Sequence, residues 1–157
     1  MELDYFIKKG LANKIVETEL QRYTNFFANS YNENLEHCKF VLDTFPRWSI
    51  ISGYYAMHDI TKLFLVEKFQ IKIDAKVHKT VIKIMETITK DKETLKLLKV
   101  GYEEFTKMAA DLVEAKGHRQ KAQYYTGSEF MKEKYKETAN NFLKKTVLPY
   151  LEKIKNL

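Results

Sequence analysis

The sequence predicts an all-α protein, an up-and-down antiparallel bundle of about five helices. Three observations lead there. Apolar residues recur near every 3.6 positions through most of the chain, the spacing of one helical face. Turn-forming residues are scarce, with 5 Gly and 2 Pro (Pro46 and Pro149) in 157 residues, which disfavours a many-stranded β fold. Hydrophobic residues make up 45% of the chain, which excludes a disordered segment. A chain of this length buries roughly two-thirds of its unfolded surface on folding. Residues 1–157 are therefore read as a single domain that needs no disulfide or metal to fold. The lone cysteine, Cys38, excludes a disulfide framework and fits a reducing interior.

The elements follow in order. Leu11 to about Phe27 is amphipathic and predicts a first helix after Tyr5-Phe6-Ile7-Lys8-Lys9-Gly10. Ser30-Tyr31-Asn32-Glu33 has the capping-box pattern and predicts the start of a second helix, carrying Leu35, Cys38, Val41 and Leu42 on one side. Pro46 is expected to end it, because the residue before a proline avoids the α region. A third helix, about Arg47 to Phe69, has Trp48, Ile50, Ile51, Tyr54, Tyr55, Met57, Phe64 and Leu65 on most of its faces. That distribution belongs to a central helix, and Ser52-Gly53 within it would let another backbone approach closely. The alternating Phe69-Gln70-Ile71-Lys72-Ile73 has no evident strand partner and is read as a loop. Val77, Val81, Ile84, Met85 and Ile88 form the core stripe of a fourth helix, with Lys76, Lys79 and Lys83 on its other side. A fifth, about Glu93 to Lys116, is expected to bury Leu95, Leu98, Tyr102, Phe105, Met108, Leu112 and Val113, and Gly117 is a natural stop. Thr126-Gly127-Ser128-Glu129 is again box-like and predicts a last helix from there to near Leu148, with Pro149 ending or kinking it.

The net charge is +6, with 27 basic residues of which only Arg22, Arg47 and Arg119 are arginines. Residues 68–99 alone hold 9 Lys against 4 acids. Such a field favours an acidic partner without specifying one. The uncharged stretch from Trp48 to His58 is too short to cross a bilayer, and Met1-Glu2-Leu3-Asp4 lacks the basic start of a signal peptide. The expectation is a cytoplasmic protein with no membrane contact.

The catalytic classes narrow quickly. There is no Glu-x-x-His, no His-Glu-x-x-His and no ligand-pair spacing among His37, His58, His78 and His118, so no metal is expected. There is no nucleophile elbow, phosphate loop or dinucleotide fingerprint, and no cofactor is implied. Cys38 is next to His37 in sequence, but neighbours do not face each other on a helix, so it reads as a core residue.

Two clusters remain. Tyr54 and His58 share a face of the central helix and either hydrogen-bond a polar ligand or belong to the core. His118-Arg119-Gln120-Lys121-Ala122-Gln123-Tyr124-Tyr125 places one of three arginines beside a histidine and tyrosines. Its guanidinium suits a phosphate or a carboxylate on a neighbouring helix.

Taken together, Tyr54-Tyr55-Ala56-Met57-His58, Val77-His78-Lys79-Thr80-Val81-Ile82 and Arg119-x-x-Ala122-x-Tyr124 resemble the HEPN family, closest to its short archaeal and bacterial branch. Ile7-Lys8-Lys9-Gly10-Leu11 is similar too, so the resemblance covers nearly the whole chain. It implies a homodimeric helical bundle with a cleft. Some members partner minimal nucleotidyltransferases in two-gene toxin–antitoxin modules, others are metal-independent endoribonucleases, and nucleotide binding has been proposed for others. The ribonucleases carry Arg-x4–6-His. Arg119 matches the arginine, but Tyr124, Tyr125 and Thr126 occupy the positions of the histidine. A tyrosine, with an ordinary pKa near 10, is a poor general base at neutral pH. The resemblance thus implies a module that binds a nucleotide, an RNA or a nucleotidyltransferase supplied in trans, without a catalytic residue of its own. The ribonuclease is the alternative. The expected binding residues are Arg119, His118, Tyr124, Tyr54 and His58, with His78 and Lys79 at a basic edge.

Overall fold

Acidic residues Glu2 and Asp4 open the short helix α1 (Glu2–Lys8) and Lys8 closes it, the polarity that the helix dipole favours. Gly10 stops it in the left-handed region, φ 74°. The Leu11 N–H donates to the Phe6 carbonyl and the Gly10 N–H to that of Ile7, satisfying the last carbonyls of the helix. The computed structural model describes the backbone of residues 2–117 and 128–157 and the side chains of residues 2–110 and 132–157. His118, Arg119 and Tyr124 lie outside the described residues.

Two expectations change between residues 11 and 45. Residues 11–19 are not helical: they form strand β1 (Ala12–Lys14) and a 3₁₀ turn (Glu17–Glu19). Helix α2 (Leu20–Phe40) then runs without interruption through the expected capping box. Ser30 lies in its middle, and its hydroxyl donates to Asp59 Oδ2 at 2.6 Å instead of capping a helix end. A buried carboxylate on the next helix attracts the serine more strongly than a break in α2 would. Pro46 does not end α2 but stands in the first turn of α3 (Pro46–Phe69), where a proline's missing N–H would have had no partner.

Strand β2 (Ile71–Ile73) corrects the loop expected there. It pairs antiparallel with β1, Ala12 opposite Ile73 and Lys14 opposite Ile71. Ala12 and Ile71 are almost fully buried, so the alternating pattern marks a half-buried strand whose partner lies far away in sequence. Helices α4 (Val77–Ile88) and α5 (Lys92–Gly117) follow. The last helix comprises α6 (Ser128–Phe142) and α7 (Leu148–Lys155), joined by a π-helical turn at Leu143–Val147. Pro149 neither ends nor breaks it: the Leu148 N–H reaches back to the Leu143 carbonyl, and the wider turn absorbs the proline.

The protein is an all-α helical bundle built around α3. Helix α2 runs antiparallel to α3, with Cys38 against Ser49 and Ser30 against Asp59. Helix α5 is also antiparallel, with Phe105 on Tyr54 and Gly101 against Met57. The last helix is parallel to α3, joined by a 2.6 Å hydrogen bond between Tyr150 and Thr61. Thr61 donates its own proton to the Met57 carbonyl, so Tyr150 is the donor. Ile50, Tyr54, Met57, Leu65, Val81, Ile84, Met85, Val147 and Tyr150 make the centre of the core. Trp48, expected among the apolar faces of α3, is 49% exposed. No helix among the described residues is long and apolar enough to cross a membrane.

Gly53 provides the close approach expected of it, to side chains and not to backbone. A Cβ there would lie 3.0 Å from Val147 Cγ2, 3.2 Å from Cys38 Sγ and 3.4 Å from Phe142. All three are buried. Gly53→Val is therefore expected to lower stability by about 1–3 kcal/mol through overpacking, read as a lower urea midpoint. Gly53→Ala should cost less, because alanine's gain in helix propensity of about 1 kcal/mol offsets the tighter contact.

Candidate functional site

The middle of α3 presents Tyr54, Tyr55, His58, Asp59 and Lys62 on successive turns. Tyr54 is 1% exposed, its ring stacked on Phe105 with centroids 4.6 Å apart. Its hydroxyl reaches out of the core to Nδ1 of His78 at 2.8 Å. His78 stands in the first turn of α4, its ring 4.7 Å from that of His58 and 5.8 Å from that of Tyr102. Tyr54, His58 and His78 are thus brought together, 24 residues apart in sequence at the widest.

Burial sets the protonation of this cluster. It pushes the Tyr54 phenol far above its ordinary value, with Tyr102 and Tyr55 adding to the shift. It lowers the His58 imidazole to about 2, helped by the Lys62 and His78 charges. His78 is lowered too, by burial first and then by Lys62. All three are neutral near pH 7. Tyr54 keeps its proton, and its hydroxyl shares with His78 Nδ1 a hydrogen bond whose donor is set by the imidazole tautomer. Among the described residues His58 Nδ1 has no hydrogen-bond partner, and it is inaccessible to solvent.

Outside His78 lies a groove of about 750 Å³ between α1, the start of α4 and α5. Lys9, Lys76, Lys79 and Lys83 supply its charge, and Tyr5, Tyr102 and His78 its rings. No carboxylate is among the described residues that line it. Lys76 precedes α4 in the left-handed region, φ 48°, a conformation that costs a non-glycine residue about 1–3 kcal/mol. The first N–H groups of α4 have no acceptor within the helix, and the dipole makes that end positive. Ammonium groups, helix end and the His78 ring border one concavity, an arrangement suited to phosphate oxygens.

The expected residues therefore divide. His78 and Lys79 line the groove. Tyr54 and His58 lie beneath it, as core residues that position His78. Lys9, Lys76, Lys83 and Tyr102 were not singled out as binding residues. The i, i+3, i+7 spacing of Lys76, Lys79 and Lys83 is their only sequence signal, and it is shared with any solvated helical face. Cys38 is buried, and burial raises its thiol pKa, which fits a core residue. Among the described residues, no three His, Cys, Asp or Glu side chains converge as a metal site would require.

Compared with known proteins, the chain matches no protein-family model, no curated protein and no solved structure.

Proposed function

We propose that this chain is a HEPN-type module that binds a nucleotide or an RNA by its phosphates, in the groove at the start of α4. It acts in the cytoplasm as a homodimer and as the HEPN half of a two-gene toxin–antitoxin pair, with a minimal nucleotidyltransferase supplied in trans. The observation that carries the binding reading is the groove itself, four lysines and three aromatic rings without a carboxylate. Lysines neutralise phosphates and release their counterions, while the faces of Tyr5 and Tyr102 offer stacking surfaces to bases. Arg119 belongs to the reading as a further phosphate contact.

The test is binding of a labelled single-stranded RNA across a salt series. Affinity is expected to fall steeply with salt. The double variant Lys76→Glu/Lys79→Glu is expected to lose roughly 100-fold in affinity and to have a shallower salt slope. All positions involved are exposed, so its helical content should match the parent. Equal affinity in parent and variant refutes the assignment of the groove. Run in EDTA, the same mixtures separate binder from ribonuclease: intact RNA supports a binding module, and cleavage supports the alternative.

A further inference from the structure

A second, smaller pocket opens where α2, α3 and β2 meet, away from the groove. Its volume is about 150 Å³, well below the roughly 300 Å³ at which drug-sized ligands begin to fit. A nucleotide does not fit there, but a molecule of a few non-hydrogen atoms does. Leu65 and Ile71 form an apolar floor, at 0% and 1% exposure. Tyr23 and Phe27 stack along one wall with centroids 6.3 Å apart.

Two ammonium groups enter this space. Lys72 Nζ lies 3.4 Å from the Tyr23 hydroxyl and over the same ring. Lys62 Nζ lies over the Phe27 ring, 5.5 Å from its centroid. Among the described residues Lys62 has neither a hydrogen-bond acceptor nor an ion-pair partner. Its nearest acid along α3, Asp59, is engaged elsewhere: Oδ2 accepts from Ser30 and from Asn34 at 3.0 Å, both on α2. A half-buried ammonium without an acceptor is costly, and burial accordingly lowers the Lys62 amine below its ordinary value while Asp59 opposes the shift. The remaining charged residue of the lining is Asp74. Within the lining two lysines thus face one carboxylate, while Asp59 acts on the Lys62 charge from outside it.

We infer that this pocket binds a small carboxylate monoanion, whose oxygens accept hydrogen bonds from Lys62 and Lys72 while its apolar end rests on Leu65 and Ile71. Size excludes the groove's ligand, the two ammonium groups of the lining call for an anion, and the low-dielectric floor strengthens the attraction. This site does not depend on the nucleotide-binding reading. The two are joined only through the Lys62 charge, which also acts on His58 and His78.

The test is titration with sodium acetate against sodium chloride at equal ionic strength, with inorganic phosphate as a second probe. The Lys62 side-chain NMR signals and the melting temperature are followed, since a ligand of the native state must stabilise it. Acetate is expected to give a saturable shift and a rise in melting temperature. Both should weaken at least tenfold in Lys62→Met, which keeps the aliphatic stem and removes the charge. Lys72→Met, on the short strand, provides the same readout should Lys62→Met fail to fold. Lys76→Glu/Lys79→Glu should lose RNA and keep the acetate response, so failure of one site is distinct from failure of the other. An unsaturating acetate response, a response unchanged in both lysine variants, or a response to phosphate alone overturns the proposal.

Discussion

Tyr54→Ala is expected to destabilise the bundle by about 3–5 kcal/mol, the range for removing a fully buried ring from a core. Few residues touch as many partners. The ring stacks on Phe105, packs at 5.6 Å against Tyr55 and 6.1 Å against Tyr102, and lies on α3 where α4 and α5 converge. Its removal leaves a cavity and deprives His78 of its hydrogen-bond partner. Tyr54→Phe separates the two effects. It keeps the ring and should cost only about 1 kcal/mol, the typical contribution of one hydrogen bond. It also frees His78 Nδ1, so the imidazole loses the bond that positions it. Urea denaturation should place Tyr54→Phe close to the parent and Tyr54→Ala far below it. RNA affinity should fall in Tyr54→Phe although the fold persists. A loss below about 1 kcal/mol in Tyr54→Ala would show that the ring is not a keystone of the core.

Acid is expected to unfold the protein through His58. The folded-state pKa, about 2, lies below the ordinary 6.5. Between those values the unfolded chain binds a proton that the folded one refuses, so stability falls as pH falls. The slope is about 1.4 kcal/mol per pH unit for one such group. From pH 6.5 to about 4.5 the loss is about 2–3 kcal/mol. His78 is shifted the same way and adds to it. Asp59 acts in the opposite sense: burial raises its pKa, so protonation on acidification relieves the cost of its buried charge. The His58 contribution is therefore read as a difference. Chemical denaturation at about pH 7 and 4.5 should show His58→Phe losing about 2–3 kcal/mol less than the parent. Equal losses would mean that His58 titrates near its ordinary value in the fold.

Local patterns were legible where one element satisfies itself. The Val81, Ile84 and Met85 stripe faces the core, and Lys76, Lys79 and Lys83 face outward, as their 3.6-residue spacing requires. The central position of α3 followed from its apolar faces. Prolines were read less well. Pro46 and Pro149 each have a local meaning, breaker or first-turn residue, that depends on what the neighbouring carbonyls find. The capping box at Ser30 failed for a similar reason, since a hydroxyl that can cap a helix can also serve a carboxylate on another helix. The Tyr54, His58, Lys62 ladder at i, i+4, i+8 was a signal for Lys62 that went unused.

Composition and periodicity were thus sufficient for an all-α bundle with α3 at its centre, because helix period and burial are properties of neighbouring residues. Spacing on the third helix also pointed to Tyr54 and His58, and the family resemblance to His78, as residues of interest. The pairing of Ala12 with Ile73, the 2.8 Å bond between Tyr54 and His78 and the placing of Lys62 and Lys72 on one pocket could come only from the folded chain. Each joins residues that are far apart in sequence or on different elements. Such contacts are selected by packing α2, α4 and α5 around α3, and no spacing along one helix encodes them.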